Sequence, residues 1–226
     1  MSNTRVARYF DSRAHEYDKH VHAYYTARRR EELGRRANGL ILEVGSGSGV
    51  LTPALAAKGR VIGLDIAPAM IARAVARTGI AGALADAQLL PFKNNSFDTV
   101  VCSEVIHYLE NRRKFCEEGY RVLRPGGKIL IMVINAQWRL LDRTRDGMNA
   151  VFKLFGKQYG WSDPCYAAGL RAEELSQLLL AAGFSDVRTQ GFIFFPAGFM
   201  HSVNKYLERT WLNRFAIAHL AEGVKR

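Results

Sequence analysis

The sequence predicts an α/β protein built on a largely parallel sheet with helices on both faces. Three observations carry that expectation. Residues 40–49 read LILEVGSGSG, and Leu40, Ile41, Leu42 and Val44 form the apolar run of a buried parallel strand. The run breaks into Gly45-Ser46-Gly47-Ser48-Gly49, and a helical pattern follows at Val50, Leu51 and Leu55. A second strand, Arg60 to Asp65, then ends in a carboxylate, roughly 20 residues past the first glycine, where an acidic side chain can accept from both hydroxyls of a ribose. Strand, glycine turn, helix and acidic strand end together open a nucleotide-binding α/β unit.

The chain of 226 residues suffices for one domain with a sizeable core. Its 48% hydrophobic and 23% charged residues are an ordinary globular balance. No apolar run approaches the ~20 residues that span a bilayer, and the opening MSNTRVARYF lacks the apolar core of a signal peptide. Cys102, Cys116 and Cys165 share no metal-like spacing, so no metal and no disulfide framework are expected, and a reducing cytoplasm is. The net charge of +11 and pI near 9.8 favour an acidic partner: nucleic acid, anionic membrane or anionic substrate. A basic surface that only keeps the protein soluble accounts for the same numbers.

The glycine turn separates two ligand classes. A dinucleotide fingerprint wants glycine or alanine three residues after Gly47, where this chain has Val50. Glu43, two residues before the first glycine, would repel a pyrophosphate but suit a cationic or amine-bearing ligand. Acidic residue, Gly-x-Gly-x-Gly and helix together resemble motif I of class I S-adenosylmethionine-dependent methyltransferases. The resemblance implies that Glu43, Gly45, Ser46 and Gly47 hold the cofactor S-adenosyl-L-methionine, with Asp65 and Ile66 at its ribose.

Before the turn, residues 5–36 are expected to be helical, with Phe10, Ala14, Tyr17, Val21 and Tyr24 on one face. Tyr9 to Asp18, YFDSRAHEYD, resembles the N-terminal segment of small-molecule methyltransferases that include quinone-biosynthesis enzymes. The resemblance implies that this segment folds over the cofactor and brings Tyr17 to it; plain core packing explains the same aromatics. His20 and His22 are expected in solvent.

After the turn, Leu51 to Lys58 is helical and stops at Gly59. Pro68 opens the next helix, where its missing donor costs nothing. Met70 on that helix either packs on the adenine, as the resemblance implies, or belongs to the core. Ala81 to Ala85 is a third strand. The following Asp86-Ala87 pair would, by resemblance, hold the adenine amino group and a ring nitrogen. Phe97 to Cys102 is a fourth strand, followed by Ser103-Glu104-Val105-Ile106-His107. Ligands lie beyond the carboxyl ends of such strands, which places Ser103 at the cofactor and His107 as a base or a pocket-shaping residue. No Asn-Pro-Pro-Tyr of base-amine methylation follows this strand, and no aspartate set for magnesium. Pro164-Cys165 lies far from it, so Cys165 is not a nucleophile.

Lys114 to Leu123 is helical, Arg124-Pro125-Gly126-Gly127 a tight turn and Lys128 to Ile134 a fifth strand. LRPGGKILI is the most recognisable structural signature of the resembled family. Residues 136–168 set an apolar face, including Trp138, Phe152 and Phe155, against basic Arg139, Arg143, Lys153 and Lys157. The resemblance makes this segment a cap over the acceptor pocket, lined by Trp138, Phe152 and Trp161. Leu170 to Ala182 is a helix, Phe184 to Phe195 a sixth strand, and Val203, Tyr206, Leu207 and Trp211 a helical face. Ala216 to Val224 is the last, antiparallel strand.

The expectation is one Rossmann-like methyltransferase domain over 1–226: a seven-stranded, mostly parallel sheet with its last strand antiparallel. Residues 1–38 form a helical N-terminal cap segment, 136–168 the acceptor-side insertion and 196–226 the C-terminal helix and last strand. The acceptor is expected to be a small, partly hydrophobic molecule, with peripheral contact to an anionic membrane and no nucleic acid. An RNA methyltransferase, a nicotinamide oxidoreductase and a non-catalytic cofactor-binding protein are the rivals.

Overall fold

The computed structural model describes residues 3–20, 23–136, 169–195 and 198–226. Among them, seven strands form one sheet: β1 (Gly39–Val44), β2 (Gly59–Asp65), β3 (Ala81–Leu84), β4 (Phe97–Ser103), β5 (Leu123–Ile134), β6 (Ser185–Phe192) and β7 (Ala218–Val224). Their order is β3-β2-β1-β4-β5-β7-β6. β1 pairs in parallel with β2 and β4, β2 with β3, and β4 with β5, while β7 runs antiparallel between β5 and β6. This is the expected sheet, six strands one way and the last one against them.

Side chains of β1 alternate between two cores, because successive residues of a strand point to opposite faces. Leu42 and Val44 join one core with Leu64, Val100 and Ile131, covered by Phe115 of α5 (Arg112–Val122) and Leu175 of α6 (Ala172–Ala181). Ile41 joins the other with Val61, Val101 and Leu130, covered by Leu33 of α2 (Ala23–Gly34) and Leu55 of α3 (Thr52–Ala56). Burial on both sides explains why β1 reads as a nearly continuous apolar run, interrupted only by Glu43.

The N-terminal stretch is not one continuous helix. α1 (Asn3–Arg13) ends, a short 3-10 turn follows at Tyr17–His20, and α2 starts afresh. The break has a partner: the Asp18 carboxylate is held by the Ser48 hydroxyl of the glycine turn and by Arg73 (3.2 Å) and Arg77 of α4 (Pro68–Thr78). These contacts draw the chain down onto the turn.

Other boundaries move for local reasons. Pro125-Gly126-Gly127 is not a free turn but an irregular opening of β5, where the Gly126 amide donates to Lys225 (2.7 Å). β6 ends at Phe192, because the Phe194 and Phe195 amides donate instead to Asn204 Oδ1. Trp211 does not extend α7 (His201–Leu207); it starts a separate 3-10 turn, capped by the Thr210 hydroxyl accepting from Leu212. The expected cap at 136–168, with Trp138, Phe152 and Trp161, lies outside the described residues apart from Ala136.

A buried ion network joins α2 to α7. Arg28, 1% exposed, donates to Glu208 (2.7 Å) and Glu32 (3.2 Å), which are 4% and 3% exposed. Glu208 also accepts from the Ile193 amide (3.0 Å). Burial alone would raise the Glu32 pKa, but hydrogen bonds from Arg36 and Arg35 outweigh it and hold the value at about 2. Glu32 therefore adds stability above its ordinary 4.5, and that stability is lost as pH falls from there toward 2. Arg28→Met leaves the buried Glu208 without its cation and should cost about 3–5 kcal/mol in urea unfolding. A loss under about 1 kcal/mol would show that the network relaxes freely.

Candidate active site

The ends of β1, β2, β3 and β4 open into one cleft, roofed by α1. Its space is about 680 Å³ counting the open mouth. Asn3, Val6, Phe10 and Tyr17 line the roof; Gly45, Gly47, Asp65, Ile66, Met70, Asp86 and Ala87 line one wall and floor. Ser103, Glu104, Val105, Tyr108 and Leu109 line the other wall.

Gly45 and Gly47 both have positive φ, 69° and 53°. A Cβ on Gly45 would sit 2.1 Å from Val105, so the turn and the loop after β4 interlock only through glycine. A Cβ on Gly47 would meet nothing within 4 Å, and it lines the cleft, so a side chain there would occupy ligand space. The Gly45 and Ser46 amides donate to the Leu64 carbonyl (2.7 and 3.0 Å), and the Gly47 amide to Asp65 Oδ2 (2.8 Å). With these donors engaged, the turn is no phosphate cradle.

Asp65, at the end of β2, is 8% exposed. Its second oxygen accepts from the Ala67 amide (2.9 Å) at the start of α4. Burial raises its pKa, against the lowering by these amides. Asp86 accepts from the Asn3 side-chain amide (2.6 Å) and the Gln88 amide (2.9 Å). Phe10 meets Tyr17 and Tyr108 edge-on, at 6.2 and 5.2 Å between centroids. Asp65, Asp86 and Glu104 make the cleft acidic in a chain of net charge +11, which favours a cationic ligand.

Nine of the residues expected at the cofactor line this cleft: Tyr17, Gly45, Gly47, Asp65, Ile66, Met70, Asp86, Ala87 and Ser103. Glu43 and Ser46 do not. Glu43 is buried at 2% exposure behind the turn, accepting from Thr52 (2.6 Å), and burial raises its pKa to about 7. Ser46 points its hydroxyl beneath the turn, toward Gly63. His107, expected as a base, is 2% exposed, lies against Tyr108 (4.2 Å between centroids) and is not among the lining residues. Burial holds its pKa down to about 3, so the ring stays neutral and is a weak proton acceptor. Sequence reasoning missed Asn3, Phe10, Glu104 and Tyr108. Glu104 stood within the strand-end segment already singled out and Tyr108 directly after it, which was the available signal.

This sheet order, with an acidic cleft at a glycine turn whose amides are engaged, defines the class: a nucleoside-binding α/β fold of methyltransferase type. The Methyltransf_11 model, a methyltransferase domain, matches residues 42–131. An uncharacterized protein of Methanocaldococcus jannaschii is 31% identical over 188 residues, 82% of this chain and 85% of that one. The ubiquinone/menaquinone biosynthesis C-methyltransferase of Hydrogenovibrio crunogenus is 29% identical over 208 residues, 80% of this chain and 82% of that one. The crystal structure of an S-adenosylmethionine-dependent methyltransferase from Thermotoga maritima has a TM-score of 0.69 at 20% identity, covering 97% of this chain and 99% of that one. The chain belongs to the S-adenosylmethionine-dependent methyltransferases. Its cofactor is S-adenosyl-L-methionine, and the open cradle at Gly47 and the carboxylates fit a cationic nucleoside.

Two predictions follow from this geometry. Asp65→Ala removes the acceptor of two buried amides, so ligand-free stability should fall by about 1–3 kcal/mol. Calorimetry should also show S-adenosylhomocysteine binding weakened by about 1.5–3 kcal/mol; a folded variant with unchanged affinity would refute a ligand contact. Glu43, with its folded pKa raised from 4.5 to about 7, adds stability at low pH that is lost as pH rises through 7. In urea titrations Glu43→Gln should remove a slope on the order of 3 kcal/mol across that window. An unchanged slope would mean that Glu43 titrates normally.

Proposed function

We propose that this enzyme methylates a small, partly hydrophobic acceptor of aromatic, quinone-like or lipid-linked character. One observation carries the reading: Val6, Phe10, Val105, Tyr108 and Leu109 give the cleft an apolar side opposite Asp65 and Asp86. A polar acceptor would leave that surface unmatched. The similarity to a quinone-biosynthesis C-methyltransferase supports the same class.

In this reading Asp65 and Ile66 hold the ribose, Asp86 and Ala87 the adenine edge, and Met70 and Tyr17 pack against the cofactor. Gly45, Gly47 and Ser103 take its amino-acid end, while Glu43 and Ser46 shape the turn from below. Bound S-adenosyl-L-methionine supplies a methyl group already activated on a sulfonium. The protein's own task is alignment, worth up to about 7–11 kcal/mol when the reactants are held in line. α1 contributes by covering the cleft, with Phe10 on Tyr108 keeping water out. Residues 1–226 act as one domain, with 1–38 as the N-terminal cover, 136–168 as the acceptor-side cap and 196–226 as the C-terminal segment.

Peripheral contact with an anionic membrane is supported by Phe199, Tyr206 and Trp211, all exposed, beside Arg209 and Arg214. Each basic residue near such a surface adds about 1 kcal/mol. Lys205 does not join them, since it is paired with Glu31 (2.9 Å). No helix among the described residues is long and apolar enough to cross a membrane.

A labelled-methyl assay tests the reading. With a prenylated hydroquinone in vesicles, label from S-adenosyl-L-methionine should enter the organic phase, faster from anionic than from neutral vesicles at low salt. Label found only in RNA or in water-soluble amines would overturn the acceptor class. Equal rates from both vesicles would remove the membrane contact.

A further inference from the structure

We propose that Glu104 is the catalytic base of this enzyme, receiving the proton of the acceptor's nucleophilic O–H or N–H. The inference rests on the small-molecule reading above and assigns its acceptor a protonated heteroatom.

The strand order places Glu104 at the reacting end. A nucleoside with its base at Asp86 and its ribose at Asp65 spans the ends of β3 and β2. Its remaining arm then runs across β1 toward β4, and β4 is followed directly by Glu104. The two sides are locked together, because Val105 occupies the space that a side chain on Gly45 would need. Glu104 therefore stands beside the turn, on the wall opposite the nucleoside carboxylates.

Its backbone is held in an uncommon conformation. Glu104 has φ of 59°, a left-handed value that is strained for a residue with a side chain. Its amide donates to the Met132 carbonyl (2.9 Å), which fixes this corner to β5. Such strain concentrates where a side chain must be aimed at a ligand, and Glu104 lines the cleft.

The surroundings suit a proton acceptor. From α2, the Tyr25 hydroxyl donates to one carboxylate oxygen of Glu104. Arg29 of the same helix supplies positive charge, with its guanidinium 5.3 Å from the Tyr25 ring centroid and 3.4 Å from the Ser103 hydroxyl. The Ile134 amide of β5 also favours the ionised form. Burial works the other way and prevails, raising the Glu104 pKa. A carboxylate that is reluctant to stay charged, yet held by two donors and a cation, is a better proton acceptor than an exposed one. His107, three residues further along, is buried and already held neutral.

The step balances without a further reactant. The acceptor's X–H bond breaks and its proton forms an O–H bond on Glu104. The electron pair left on X bonds to the methyl carbon. The pair of the broken carbon–sulfur bond stays on sulfur, giving S-adenosylhomocysteine and the methylated acceptor.

The test uses the full chain and whichever acceptor the wild-type enzyme labels, with Glu104→Gln and Tyr25→Phe as variants. Glu104→Gln keeps the shape and one hydrogen-bond acceptor but cannot take the proton. Its kcat should fall roughly 10²–10⁴-fold, with acceptor KM and S-adenosylhomocysteine Kd changed less than about threefold, as judged against the ~10-fold steps that mark a real binding contact. Tyr25→Phe removes a donor to the carboxylate, so the acidic limb of its kcat against pH should move to higher pH. A kcat for Glu104→Gln within threefold of wild type overturns the proposal while the acceptor class stands. A tenfold loss of S-adenosylhomocysteine affinity also overturns it, making Glu104 a cofactor ligand. If the wild-type enzyme labels no acceptor at all, the functional reading falls and this inference falls with it.

Discussion

The carboxylate of Asp65 is the interaction on which the site depends. One oxygen fixes the Gly47 amide after β1, and the other fixes the Ala67 amide before α4. Two loops that the sheet only brings close are thereby set at one separation. The same carboxylate faces the cleft, so the group that shapes the floor is also on display to the ligand. Burial makes its charge costly, and the two amides offset part of that cost. In the proposed binding mode, Asp65 is thus a residue for which architecture and recognition cannot be separated.

What was legible in the sequence was what local geometry dictates. β1 announced itself because both of its faces are buried, and the glycine turn because Gly45 and Gly47 adopt conformations that side chains resist. Asp65 and Asp86 were found because a strand end sets their position. Contacts between distant segments were not legible. Asn3 and Asp86 are 83 residues apart, and Tyr25 and Glu104 are 79 apart, so neither pairing has a local pattern. Position beyond a strand end pointed to His107, whereas the positive φ that sets the Glu104 side chain leaves no mark in its residue type. The helical pattern of residues 5–36 misled for a related reason: periodicity does not record that Asp18 is tethered to α4.

The basic composition also looks different once its partners are known. Arg28, Arg35, Arg36 and Lys205 all pair with the acidic residues of α2, and Arg73 and Arg77 with Asp18. Arg121 holds Glu118 and the Leu90 carbonyl. Part of the positive charge is therefore internal fastening, and the cleft is acidic. Net charge describes the outer field of this protein and misstates the sign of its binding site.

The roof over that cleft has a kinetic meaning. α1 is held down at three points: Asn3 on Asp86, Asp11 on the Ala69 amide (2.8 Å), and the adjoining Asp18 on Arg73 and Arg77. Asn3 offers Asp86 an N–H donor, as the adenine amino group would in the proposed binding mode. On that reading, entry of a nucleoside and retention of the roof contact draw on one acceptor, and the exchange of spent for fresh cofactor would be coupled to the detachment of α1. Residence time at this site would then be a property of α1 as much as of the pocket beneath it.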